Sequence, residues 1–341
     1  LRFGRIGAGL GDEVVAVVIA RNPPEVEIHC HGGPAAVALV VEALTGQGAE
    51  QRQPGAWARH AAASTIEAEA LVDLTRAPTR RTAEILLEQA EGVFARAVQR
   101  LIASLAEDPA AATEGLETLR RHAAVGLRMV TGWRVVLAGR PNVGKSRLLN
   151  ALAGYGRAIV DASPGTTRDV VTVRTALDGW PVELADTAGL RDPEGAIEAA
   201  GIALARARQR TADLLVVVLD RSEPWTADDQ ALVREATEAQ APTLIVANKA
   251  DLPAAWEPLS DAIPTISAER GDGVDSLIQK LAQRLVPTPP PPGAAVPFRP
   301  AHYRRIDRAC AALCADDPTT ALRHLSALLN ERTRRGEHAD S

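Results

Sequence analysis

Gly139-Arg140-Pro141-Asn142-Val143-Gly144-Lys145-Ser146 is the stretch that decides how this chain folds. It fits G-x-x-x-x-G-K-[ST] and lies between an apolar run, Val135-Val136-Leu137-Ala138, and a helical pattern, the strand, loop and helix context that the spacing needs. The residue types answer a demand for phosphate. Glycines such as Gly144 let backbone N–H groups along Asn142 to Arg147, Val143 included, curl around oxygens, and the positive end of the helix dipole adds to them. Lys145 then reaches the β and γ phosphates, and Ser146 supplies a hydroxyl to magnesium. A structural glycine turn is the ordinary alternative. However, only Lys145, Lys249 and Lys280 are lysines among 38 basic residues, so chance does not readily place one in the motif.

Further along, Asn248-Lys249-Ala250-Asp251 ends the apolar run Leu244 to Ala247, where open parallel sheets bind ligands. Asp251 is an acceptor-only carboxylate that pairs with the N1–H and exocyclic amine of guanine. Adenine offers no matching donor pair, so GTP is expected rather than ATP. Lys249 is expected along the base plane, Asn248 as the link from base to phosphate loop, and Ser267-Ala268, after a strand at Thr265, as backbone N–H donors to guanine O6. Asp186-Thr187-Ala188-Gly189 follows the strand Val182 to Ala185, which places Asp186 to hold magnesium through water and the Gly189 N–H to sense the γ-phosphate. Gly165-Thr166-Thr167-Arg168-Asp169 reads as a loop, one of whose threonine hydroxyls completes the magnesium shell. Leu190 stands where many signalling GTPases carry a water-orienting glutamine, so hydrolysis needs another device.

Working outward, apolar runs at 214–219 and 244–247 alternate with helical stretches, the pattern of a parallel sheet covered on both faces. Val170 to Leu177 and Val182 to Ala185 flank an Asp178-Gly179 turn and read as a hairpin at the sheet edge. The fold class is therefore α/β: a P-loop GTPase domain over residues 132–287, with a mostly parallel sheet, inserted in an α-helical domain. The four prolines within Thr288 to Gly293 make residues 288–297 a stiff linker. The helical domain comprises residues 61–131, read as two long helices broken at Asp108-Pro109, and 298–341. Residues 1–60 read as strand, strand, helix (13–20, 26–30 and 34–45), a partial α+β domain.

Composition sets limits. Charged residues are 24% and hydrophobic residues 46%, ordinary for a folded chain. The formal charge of −5 excludes nucleic-acid binding driven by bulk electrostatics, so any RNA contact must be local. Residues 298–341 hold eight arginines against six acids, too small an excess to change that. Three cysteines, Cys30, Cys310 and Cys314, make no disulfide framework and suit a reducing cytoplasm. Cys310 and Cys314, one helical turn apart, are expected as buried apolar groups. His29, Cys30 and His31 put only two ligands on one strand face, too few for a metal. No apolar run approaches the roughly 18 residues of a membrane helix, and Asp12 and Glu13 interrupt the stretch a signal peptide would need. The start at Leu1 rather than Met marks a fragment or a misplaced start.

Taken together, these motifs resemble the MnmE (TrmE) family of tRNA-modifying GTPases. Glu27-Ile28-His29-Cys30-His31-Gly32-Gly33-Pro34 is similar to the segment ending that family's folate-binding domain, and Ala68-Glu69-Ala70 with Asp73-Leu74 to the start of its helical domain. Gly139-Arg140-Pro141-Asn142 and Gly165-Thr166-Thr167-Arg168-Asp169 suit its G domain. The resemblance implies a potassium ion in place of an arginine finger, held by Asn142 and by carbonyls of the loop Asp161 to Thr166, Ser163 among them, with Thr167 on magnesium. It also implies that Glu198, two residues ahead of Ala200-Gly201, orients the attacking water through a second water. A solvated helix carboxylate is the ordinary reading of Glu198. The implied setting is cytoplasmic wobble-uridine modification of tRNA with a flavoprotein partner; a homodimer is left open.

This sequence also departs from the family. Much of the first half of the folate-binding domain has no counterpart, Ala56 and Trp57 stand where the family has Glu and Phe, and the chain ends Glu337-His338-Ala339-Asp340-Ser341 rather than Phe-Cys-Ile-Gly-Lys. A folate derivative is therefore not carried over with the other cofactors. The alternative reading is a divergent GTP-gated interaction module without tRNA chemistry.

Overall fold

In the computed structural model, residues 1–7, 11–21, 24–155, 172–186, 212–238, 242–258, 260 and 262–329 are described. They form two compact units, residues 1–60 and residues 61 onward.

The first unit holds an antiparallel sheet of β1 (Arg2–Ile6), β2 (Asp12–Arg21) and β3 (Pro24–His29) in that order. It continues with helices α1 (Pro34–Gly46) and α2 (Pro54–Ala61). Sequence reasoning expected two strands here. It missed β1, whose Arg2, Phe3, Gly4 and Arg5 are all exposed, so that no buried apolar face announces the strand. Cys30 lies just past β3 rather than in it. His31 is held by Asp12, Nδ1 to Oδ1 2.8 Å.

The second unit begins with α3 (Thr65–Leu74), α4 (Arg80–Ala90), α5 (Val93–Glu107) and α6 (Pro109–Gly126). The two long helices expected are thus four. Asp108 does cap α6, accepting from the Ala111 N–H at 3.0 Å with Pro109 in the first turn. Two further stops were read through. Pro78 precedes Thr79, which caps α4 by accepting from Thr82 N–H. Gly92, at φ +88°, turns the chain in the left-handed region between α4 and α5.

One apolar core joins these helices to the end of the chain. Phe94, Val98, Leu116 and Met129 pack with Val296 and Phe298 and with Ile306, Leu325 and Leu328 of α10 (Pro300–Cys314) and α11 (Pro318–Leu329). The extended segment before α10 is held by buried amides: Gln89 donates to the Ala294 carbonyl (3.2 Å) and accepts from Val296 N–H (3.0 Å). Gly126 is a close-approach position, since a Cβ there would stand 2.0 Å from the Pro297 carbonyl oxygen. Arg299 spans Asp73 (2.8 Å) and Glu69 (2.7 Å), and Glu69 also bonds His302 at 2.8 Å. Burial pushes the Glu69 carboxyl up, but His302 and Arg299 outweigh it and hold the group below the usual range. Cys310 is buried as expected; Cys314 is exposed, at the solvent side of the last turn of α10.

Between these helical parts lies a five-stranded sheet in the order β5-β6-β4-β7-β8, from β4 (Trp133–Ala138), β5 (Thr172–Leu177), β6 (Trp180–Asp186), β7 (Leu214–Asp220) and β8 (Thr243–Asn248). All neighbours are parallel except the β5–β6 hairpin, whose Asp178 (φ +48°) and Gly179 (φ +78°) make the turn that the Asp-Gly pair favours. Alternate strand residues face opposite ways. Leu137, Leu184, Val216 and Val246 pack under α7 (Lys145–Tyr155) and α9 (Val274–Leu285), while Val136, Ala185, Val217 and Leu219 pack under α8 (Ala227–Glu238). Arg81 of α4 meets the hairpin, bonding Asp178 (3.2 Å) with its guanidinium 5.0 Å above the Trp180 ring. Among the described residues no helix is long and apolar enough to cross a membrane.

Candidate nucleotide site

The C-terminal ends of β4, β6, β7 and β8 lie side by side in the sheet, and the loops that leave them supply the site residues. The loop Gly139 to Gly144 runs from β4 into α7. Asn142 takes φ +64° and Gly144 φ +95°, and a Cβ on Gly144 would stand 2.3 Å from the Asn248 amide nitrogen, so only glycine fits there. Lys145, 5% exposed, donates its ammonium to the carbonyls of Gly139 (3.0 Å) and Arg140 (2.7 Å). A buried cation that donates to neutral carbonyls is suited to receive an anion.

Ser146, in the first turn of α7, donates to the Asp186 carboxylate at 2.7 Å, and Asp186, at the end of β6, is itself buried. These two groups put hard oxygen donors at one point beside Lys145, the donor chemistry magnesium takes.

Across the cleft, Asn248 is 2% exposed and works at both ends of its amide. Its nitrogen donates to the Val143 carbonyl (2.8 Å) and its oxygen accepts from Ala268 N–H (3.0 Å), which ties the phosphate loop to the 267–268 loop. Asp251 accepts from the Ser267 hydroxyl at 2.6 Å. That bond, with its own backbone N–H, holds the Asp251 carboxyl below the ordinary aspartate range, so it stays an acceptor at neutral pH. Lys249, at φ +66°, sets its ammonium 2.5 Å from Asp220 at the end of β7. Burial pushes Asp220 up, but Lys249 and Ser222 more than reverse this and keep it ionised.

The structure thus brings Asn142, Gly144, Lys145, Ser146, Arg147, Asn248, Lys249, Asp251 and Ala268 to the rim or floor of one cleft of about 740 Å³, while the Val143 side chain is buried in the core beneath. Of the two N–H groups expected to face guanine, that of Ser267 bonds the Asp272 carbonyl (2.9 Å) and that of Ala268 the Asn248 side-chain oxygen in this structure. Asp161, Ser163, Gly165, Thr166, Thr167, Thr187, Ala188, Gly189 and Glu198 lie outside the described residues.

Sequence reasoning also missed a support. Arg140 bonds Asp229 at 2.8 Å, and Asp229, 3% exposed, also accepts from the Thr226 N–H and hydroxyl at the start of α8. Thr226-x-x-Asp229 is a capping-box spacing with Asp in the acidic place, the one signal that could have found it.

Comparison with known proteins decides the family. The chain is 37% identical over 321 residues to the tRNA modification GTPase MnmE of Parasynechococcus marenigrum, covering 83% of this chain and 71% of that protein. This chain belongs to the MnmE family of tRNA modification GTPases. The MnmE of Chloroflexus aurantiacus is 37% identical over 87% of this chain and 73% of its own length, and that of Geobacter sulfurreducens 31% over 81% and 68%. The family described as 50S ribosome-binding GTPase matches residues 134–249, which hold the phosphate loop, Asp186 and Asn248-Lys249. The chain is accordingly a GTP-binding and GTP-hydrolysing enzyme built on a P-loop α/β domain. Because the MnmE match runs far beyond the nucleotide domain, it does not favour the bare interaction module.

Proposed function

We propose that this protein is a cytoplasmic, magnesium- and potassium-dependent GTPase that takes part in wobble-uridine modification of tRNA with a flavoprotein partner. The observation that carries the nucleotide part is the Asn248 amide, which couples the guanine loop to the phosphate loop within a single cleft. Lys145 exchanges its carbonyl partners for the β and γ phosphates, and backbone N–H groups from Val143 to Arg147 surround them. Asp251 accepts from the guanine N1–H and amine. Ser146, Thr167 and, through water, Asp186 hold magnesium, which when bound neutralises charge on the β and γ oxygens. Asn142, with carbonyls of Asp161, Ser163 and Thr166, holds potassium. Gly165, Thr187, Ala188 and Gly189 line the γ-phosphate, and Glu198 orients the attacking water. No folate step is part of this reading.

Two measurements test it. GTP turnover is expected to be faster in potassium than in sodium and to fall in Glu198→Ala with nucleotide binding kept; equal rates in the two salts refute the potassium site. In a strain carrying this protein in place of its MnmE, wobble uridines are expected to be modified normally. Unmodified uridines there, with GTP turnover intact, would contradict the tRNA part alone.

A further inference from the structure

The net charge of −5 requires any RNA contact to be local, and the fold assembles such a place from segments far apart in sequence. Arg121 and Ala124, three residues apart near the end of α6, share a face, and Arg128 lies in the turn just past that helix. That face, with Arg284 near the end of α9 and Val286, Pro287 and Thr288 after it, walls a groove of about 940 Å³. Asp213 is the one acid lining it among the described residues, and it is already engaged by the Arg128 guanidinium and, at 2.8 Å, by Arg134 N–H. Arg121 bonds only the Thr118 hydroxyl (3.0 Å), and among the described residues neither Arg121 nor Arg284 has an acidic partner. A second hollow of about 580 Å³ shares Arg121, Ala124 and Leu127 and adds Arg120 and the half-buried ring of Tyr303.

We propose that this groove binds the phosphate backbone of tRNA, with Arg121 and Arg284 on phosphates and Tyr303 stacked on an exposed base. The chemistry selects RNA. Planar guanidinium forks match phosphate oxygens bidentately, and every base offers a face to an aromatic ring, whereas an acidic peptide would use the arginines and leave the tyrosine idle. The proposal rests on the reading that this chain acts on tRNA.

The test is binding of fluorescently labelled, unmodified tRNA to the full chain across a salt series. Each phosphate contact contributes roughly 0.9 to the slope of log affinity against log salt, which is about fivefold in affinity at 0.15 M. Arg121→Ala and Arg284→Ala should each weaken binding about fivefold and lower the slope by roughly 0.9, and the double variant about 30-fold. GTP turnover and thermal midpoint should match those of the unaltered protein. Tyr303→Leu should weaken binding with no change in slope. If the double variant keeps full affinity and slope while the unaltered protein binds tRNA, the groove is wrong and the tRNA reading stands. If the unaltered protein binds no tRNA, both fall. If polyglutamate displaces tRNA as well as unlabelled tRNA does, the groove takes an acidic protein instead, and the proposal is overturned.

Discussion

Replacing Asn248 by alanine removes a tie that exists before any nucleotide arrives. Two hydrogen bonds are lost, to the Val143 carbonyl at 2.8 Å and from Ala268 N–H at 3.0 Å, in a place where the side chain is 2% exposed. Each bond contributes about 1 kcal/mol net, and each partner left buried and unpaired costs about 1–3 kcal/mol. The expected loss is about 2–4 kcal/mol. In a domain of this size class 1 kcal/mol moves the midpoint by roughly 2–4 °C, so the nucleotide domain should melt about 5–15 °C earlier without ligand. GDP affinity should fall as well, because the phosphate and guanine loops no longer hold one another in place. Asn248→Asp is the sharper variant: it keeps an acceptor for Ala268 N–H but sets a carboxylate oxygen against the Val143 carbonyl, and should be no more stable than Asn248→Ala. Circular dichroism melts with and without GDP, together with a fluorescent GDP titration, provide the readout. If both variants melt within about 1 °C of the parent and bind GDP unchanged, the coupling of the two loops through Asn248 is wrong.

Gly126→Ala should destabilise the helical domain by roughly 2 kcal/mol despite alanine's better helix propensity, because its Cβ would stand 2.0 Å from the Pro297 carbonyl; a raised thermal midpoint would contradict this. Asp251→Asn should weaken GTP binding about 100-fold and improve xanthosine triphosphate binding, since an amide N–H replaces an acceptor; competition titrations read both. Glu69 is held below the ordinary glutamate range, so the unfolded chain takes up its proton first, and its stabilisation is complete at neutral pH and lost as pH falls through the folded value. Glu69→Gln should therefore be less stable at neutral pH and show a shallower acid limb in urea unfolding; parallel limbs would argue against the Glu69 pairing with Arg299 and His302.

Where a residue's neighbours in sequence are also its partners in space, the sequence was readable. Gly139 to Ser146, the Asp178-Gly179 turn and the Asp108-Pro109 stop each carry their own conformational demand. The stops at Pro78 and Gly92 were hidden because the apolar spacing runs on through both. β1 was missed because its residues stay exposed and carry no alternation. Asp220 under Lys249 and Asp229 under Arg140 were invisible for another reason: an acid at a strand end or a helix start has ordinary local uses, and only the fold shows the arginine or lysine above it. The same holds for Arg121 and Arg284, which no stretch of sequence joins, and for the amide of Ala268, whose partner Asn248 ends β8.

The central claim, that one cleft selects guanine through Asp251 and holds its phosphates through Lys145, is tested most directly by phosphate release from GTP and from ATP with magnesium in potassium buffer, for the parent chain and for Lys145→Ala. The account predicts turnover of GTP and not ATP, lost in the variant together with nucleotide binding. ATP hydrolysed as fast as GTP, or Lys145→Ala retaining the parent rate, would contradict it.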